Sequence, residues 1–286
     1  MLEVFTSTLM IRSLVAALLV GLSAPVVGTY LVHRRLSMLG DGIGHVALTG
    51  VALGWLVGTG MNLVPIDQLA IPGAIVTSVL GAVAIETVRH SGRASADVAL
   101  AILFYGGIAG GVLLMGIAGG TSTQLNSYLF GSIATVSWFD ILVIGILAIV
   151  VVSLGVGLMP ALYSASNDEE FAQSTGLPVR ALTMLIAVMA ALTVAISMRV
   201  VGALLVSALM VVPVATSQLF MTSFAKTMFM GSVLGAFICV TGLVITYYVD
   251  LSPGAMIVVL AILIYALASL LQPIGKNRHH KKQKTR

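Results

Sequence analysis

Charge is what this sequence has least of. Asp, Glu, Lys and Arg together make up 8% of 286 residues, whereas a soluble domain carries roughly a quarter. Cysteine is nearly absent too: Cys239 alone closes no internal disulfide, and its apolar surroundings read as a small core position. No Gly-rich run ends in Gly-Lys-Ser or Gly-Lys-Thr, so the chain offers no phosphate-cradling loop for ATP hydrolysis. It contains no His-Glu-x-x-His pair, and no placed nucleophile–base pair marks an intramembrane protease. These absences argue against an enzyme and against a water-soluble protein of any kind.

What is present is apolar sequence in long blocks, among them Thr8 to Val32, Ala70 to Val88, Asp140 to Met159 and Met256 to Leu271. About 20 apolar residues in a helix cross the hydrocarbon layer, so several such blocks predict an all-α, polytopic membrane bundle. The runs do not alternate as barrel strands do. The first block carries Glu3 and Arg12 without a basic leader and reads as a span, not a removable signal peptide. The net charge of +4 is local: Lys276 to Arg286 holds 6 of the 14 basic residues, leaving 8 basic against 10 acidic elsewhere. A nucleic-acid partner is therefore not expected. The tail is expected to be disordered and to lie against anionic lipid on the cytoplasmic side.

Nine crossings can be laid out, near 8–32, 43–59, 70–88, 96–118, 138–159, 179–197, 200–216, 228–248 and 254–272. The membrane domain is thus 1–272 and the tail 273–286. Arg34, Arg35, Arg89, Arg93, Arg180 and Lys226 then fall on the side of the tail, and only Arg12 and Arg199 near the other. By the positive-inside rule the N-terminus is outside and the C-terminus cytoplasmic. The short stretches 43–59 and 200–216 leave eight or ten crossings open. Most of the 30 glycines, as in Tyr105 to Gly120, are expected to let helices pack closely. Pro25, Pro72, Pro213 and Pro253 should kink or begin helices. Thr121 to Ser132 should form a short surface helix on the outer side.

Ionisable groups inside spans need a reason. Asp41 and His45, four apart, share one face of a helix. Carboxylate oxygen and imidazole nitrogen suit a divalent transition cation such as Zn²⁺ or Mn²⁺. Two ligands do not complete a shell; a second copy across a two-fold axis would supply four. The alternative reading is an Asp–His hydrogen bond capping a helix. In the loop Tyr163 to Arg180, Asn167 is expected to cap a short helix opening with Asp168, Glu169 and Glu170 and stopping at Gly176 and Pro178. That helix is either a docking element or a connector. Glu86, Arg89, Arg93 and Asp97 are expected to form an inner-face ion network. Arg199 is expected to snorkel, Asp250 to cap the last helix beside Tyr247 and Tyr248, and Asn62 and Asp67 to lie in an outer loop that could receive a cation. His279 and His280 in the tail could bind metal weakly.

At these residues the chain resembles the membrane-spanning permease subunit of ABC importers for zinc and manganese. The resemblance rests on "LVHRRLSMLGDGIGHVALTGVALG", "SADVALAILF", "SYLFGSIATVS", "NDEEFAQSTGLPV" and "RVVGALLVSALMVVPVATS", in order up to Ser217. It implies a homodimer in a bacterial plasma membrane, cytoplasmic ABC ATPase subunits that use ATP, an extracytoplasmic metal-binding protein, and transient passage of Zn²⁺ (first) or Mn²⁺ with no stably bound cofactor. Asp41 and His45 match the part of the family pore expected to contact or gate the metal. Asn167, Asp168, Glu169, Glu170, Phe171, Ala172, Thr175 and Gly176 match the helix that sits in a groove of the ATPase. "VVGALLVSALMVVPVA" matches a pore-side helix near the dimer axis. Thr49 stands where the family often has proline. A permease for an organic cofactor or iron–siderophore, an ion-coupled secondary transporter, and a non-transport scaffold are the competing readings.

Overall fold

The computed structural model describes residues 7–63, 66–91, 95–132, 136–249 and 251–271. Arg93, Asp250 and the basic tail with His279 and His280, all singled out above, lie outside the described residues. Among the described residues there are twelve α-helices, one 3-10 turn (Ile66–Leu69) and no strand. In chain order they are α1 (Thr8–His33), α2 (Leu39–Gly60), α3 (Ala70–Ser91), α4 (Ala96–Ile117), α5 (Ser122–Phe130), α6 (Trp138–Gly157), α7 (Met159–Asn167), α8 (Glu169–Ser174), α9 (Val179–Ser197), α10 (Val206–Gln218), α11 (Phe224–Tyr248) and α12 (Pro253–Leu271).

Among the described residues, eight helices are long and apolar enough to cross a bilayer: α1, α2, α3 with its leading turn, α4, α6, α9, α11 and α12. The span expected at 43–59 is longer than its apolar core, because α2 starts at Leu39 and runs 22 residues. The span expected at 200–216 is different in kind. Residues 198–205 are not α-helical, and α10 has only 13 residues, about 20 Å at 1.5 Å per residue.

Hydroxyl caps start several helices. Ser7 accepts from the Met10 N–H at α1 and Ser95 from Val98 at α4, and Ser137 with Asp140 closes a capping box at α6. Helix α1 is the central post, packed by α11, α10 and α6, while α2 packs on α4 and α3, and α3 on α9. Pro25 sits inside α1 without ending it, and the Thr29 hydroxyl donates to the Pro25 carbonyl. Outward faces are apolar: Leu80, Ile102, Leu113, Ile149 and Phe229 are all exposed. A continuous coat of this kind suits lipid contact and not water.

The polar groups gather at two ends. Arg34, Glu86 and α8 mark one end, to which α1, α3 and α6 lead. Arg199, Asp67 and Asp140 mark the other. Helix α5 forms where a short surface helix was expected, with a Thr121–Gln124 capping box. Its far end is tied inward: the Tyr128 and Leu129 carbonyls accept from Ala203 and Leu204.

Candidate metal path and its flanking ion clusters

Asp41 and His45 lie on successive turns of α2, as their spacing requires, but they do not hydrogen-bond to each other. Asp41 Oδ1 accepts from the Ser207 hydroxyl at the start of α10. The His45 ring is 3% exposed and meets Phe104 edge-on at 4.2 Å. Its Nδ1 is buried without a hydrogen-bond partner. The helix-capping Asp–His pair, one of the two sequence readings, is therefore not formed. An orphaned imidazole nitrogen one turn from a carboxylate is costly unless something else uses it.

The approach of α4 explains how His45 is enclosed. A Cβ on Gly107 would fall 2.5 Å from the His45 carbonyl carbon, so only glycine lets the two backbones close. Within the same glycine-rich run, Gly106 and Gly116 have nothing within 4 Å, so close packing accounts for one face of α4 only. Asp41, Asp97, Phe104 and Tyr105 border a cavity of about 350 Å³ between α2 and α4. Asp97 borders this cavity, while Arg93, expected beside it in the ion network, lies outside the described residues. Among the described residues no group of three or more His, Cys, Asp or Glu is close enough to hold a metal ion.

At one end, Glu86 accepts from Arg89 at 2.7 and 3.1 Å and lies 4.0 Å from Arg34 and 3.3 Å from His90 Nε2. His90 Nε2 also lies 3.1 Å from the Thr183 hydroxyl of α9. Glu169 accepts from Arg34 at 2.7 Å and from Arg89 at 3.5 Å. The inner-face network was expected from Glu86, Arg89, Arg93 and Asp97; Glu86 is instead joined by Arg34, and their side chains are only 3% and 4% exposed. Burial, with Arg89 nearby, pulls the Arg34 guanidinium below its ordinary pKa, while Glu86 and Glu169 oppose that shift. The cluster fastens α8 to the end of α1 and to α3.

The loop carrying α8 is capped one residue later than expected. Asn167 ends α7, and Asp168 is the cap of α8, accepting from the Phe171 N–H at 2.9 Å. Glu169 and Glu170 occupy the first turn, where the helix dipole favours acids. Gly176, at φ 81°, makes the left-handed stop. Ala172 is buried, whereas Phe171 is 60% exposed and Asn167, Glu170, Thr175 and Gly176 are exposed around it.

At the opposite end Arg199 does not reach out to an interface. It donates to Asp140 at 3.0 Å and to Asp67 at 3.2 Å. Asp67, expected as a cation-receiving loop residue, is thus an ion-pair partner. Asp67, Arg199, Thr59, Gln124 and Tyr128 line a cavity of about 550 Å³, and burial pushes the Tyr128 phenol above its ordinary pKa. The stretch expected as a pore-side helix is the short α10, packed on α1, α11 and α12. Sequence reasoning missed Ser207, Asp140 and the Arg34–Glu169 bond. Arg34 and Glu169 are 135 positions apart, and the only available signal was that the charges were so few.

The chain is 31% identical over 273 residues to the manganese import system permease protein ScaB of Streptococcus parasanguinis, covering 94% of this chain and 92% of that one. It is 29% identical to the high-affinity zinc uptake system membrane protein ZnuB of Haemophilus influenzae, covering 91% and 97%. A solved structure, PsaBC from Streptococcus pneumoniae in complex with Fab, superposes with a TM-score of 0.85 at 29% identity, over 98% of this chain and 97% of that one. With residues 6–272 matching the ABC 3 transport family, nearly the whole chain, from the first span to the last, belongs to that family, and it is a polytopic membrane permease and not an ATPase.

Proposed function

We propose that this chain is the membrane path of an ATP-driven importer that carries a divalent transition metal, Mn²⁺ or Zn²⁺, by alternating access. The observation that carries the proposal is the Asp41–His45 face of α2: a carboxylate bordering a cavity and, one turn on, a buried imidazole nitrogen with no protein partner. Oxygen with imidazole nitrogen is a donor set for both metals and disfavours Mg²⁺ and Ca²⁺, which take oxygen alone. Relatives named for manganese and for zinc cover this chain alike, so the two metals stand level and zinc is not placed first. A path residue binds its cargo weakly, because a complete shell would not release it. Two donors per chain meet that requirement, and a homodimer would present four.

The end bearing Arg34 and α8 is the cytoplasmic one in this reading, with the N-terminus outside, since most basic residues gather there. Helix α8 and its exposed Phe171 face the ATPase, whose nucleotide-driven closure moves the helices between outward and inward openings. Glu169, held by Arg34 and Arg89, carries that movement to α1 and α3. The cavity beside Arg199 faces the extracytoplasmic binding protein that delivers the metal.

The test is ATP-driven uptake of Mn²⁺ and Zn²⁺ into vesicles holding the permease, its ATPase and its binding protein. We expect uptake of at least one metal in the wild type and its collapse in His45→Ala with the complex intact. Normal uptake in the mutant would return His45 to a packing role. No metal uptake by a wild-type complex that hydrolyses ATP would favour an organic substrate.

A further inference from the structure

Ser207 is the group that connects the short helix to the Asp41 face. Buried hydroxyls in this bundle mostly fold back on their own helix: Thr29 donates to Pro25, Thr193 to Met189, Thr216 to Val212 and Ser217 to Pro213. Such back-bonding is the usual resting place of Ser and Thr in apolar helices. Ser207 departs from it and donates to a carboxylate on another helix, Asp41 of α2.

Three further features hold it there. Helix α10 begins at Val206 after a Leu205 cap that has no side-chain hydrogen bond, so the positive end of the helix lacks a capping oxygen of its own. Asp41 supplies a negative charge at that end. Helix α2 is bare where α10 approaches, since a Cβ on Gly40 would meet the Met210 Cε at 2.8 Å and the Ser207 Cβ at 3.1 Å. A Cβ on Gly44, one turn on, would lie 2.8 Å from the Ala203 carbonyl oxygen. The non-helical stretch 198–205 sets this position: Val194 of α9 packs at Gly44, and a continuous helix from there would carry residue 207 about 20 Å further along the α9 axis.

We propose that Ser207 is a positioning residue for metal passage, orienting the Asp41 carboxylate through Oδ1. The proposal rests on the assignment of Asp41 to the metal path. A donor that fixes a ligating carboxylate is commonly worth about 10- to 100-fold in metal affinity. The stretch that carries Ser207 is anchored eight positions earlier by Arg199, so the carboxylate of the path is tied through one short segment to the opposite end of the bundle.

The experiment is a Mn²⁺ titration of the purified permease–ATPase complex, following the free-ion EPR signal, for wild type, Ser207→Ala, Ser207→Thr and Asp41→Asn. The melting temperature of each metal-free complex reports the fold. Ser207→Ala is expected to weaken Mn²⁺ binding roughly tenfold or more without lowering the melting temperature. Ser207→Thr, which keeps the hydroxyl, should stay near wild type. Equal weakening by Ala and Thr, or wild-type binding in Ser207→Ala while Asp41→Asn loses it, overturns the role of Ser207 alone. Wild-type binding in Asp41→Asn overturns both this role and the Asp41 assignment beneath it.

Discussion

The buried half of the Arg34 cluster should matter far more to stability than its exposed half, and the contrast can be worked out from the geometry. Glu86 is 2% exposed and balances two guanidiniums, Arg89 at 2.7 Å and Arg34 at 4.0 Å. Glu86→Gln keeps the shape and removes the charge, leaving Arg34, 4% exposed, facing Arg89 with only Glu169 between them. Breaking a buried ion pair from one side costs about 3–5 kcal/mol. Arg89 is 23% exposed and can turn to water, which moves the expectation to the lower end, about 3 kcal/mol. Glu169 is 41% exposed, so Glu169→Gln should cost about 1 kcal/mol or less despite its shorter bond to Arg34. The assay is reversible unfolding in mixed SDS and mild-detergent micelles, read by helix content. Glu86→Gln should shift the unfolding equilibrium about 100-fold, at about 1.4 kcal/mol per factor of ten, and Glu169→Gln no more than about fivefold. Uptake per ATP should show the opposite order of sensitivity relative to stability, because Glu169 is the strut to α8. Equal destabilisation by the two variants, or a silent Glu86→Gln, would refute the reasoning.

Two glycines on one helix should respond in opposite ways. Gly107→Ala places a methyl 2.5 Å from the His45 backbone and should cost about 2 kcal/mol or more by overpacking. Gly106→Ala meets nothing within 4 Å and should be neutral or slightly stabilising through helix propensity; the same unfolding assay separates them. Arg199→Ala should leave Asp140, 3% exposed, without its guanidinium and cost about 3 kcal/mol. Asp67→Asn, at a side chain 33% exposed, should cost about 1 kcal/mol or less, and parity between the two would mean that the Arg199 cluster acts as a surface pair.

Much of this protein is written in its composition. With 8% charge, only a lipid-embedded helical bundle leaves the backbone satisfied and the surface compatible with its solvent, so architecture and most span limits could be read directly. The i,i+4 spacing of Asp41 and His45 already placed them on one face, because helix geometry is local. The acidic opening and Gly176 stop of α8 were legible for the same reason, although the cap moved from Asn167 to Asp168. What the sequence alone could not decide was every relation between distant segments. Periodicity says which residues share a face of one helix, never which helix that face meets. Only the folded chain broke the span expected at 200–216 into an irregular stretch and a short helix, since apolar composition is the same for both. Only it directed the Ser207 hydroxyl to Asp41, left the His45 nitrogen without a partner, and brought Arg34, just past the end of α1, to the buried Glu86 of α3. Each of those outcomes depends on how closely two backbones approach, and that distance is set by tertiary packing.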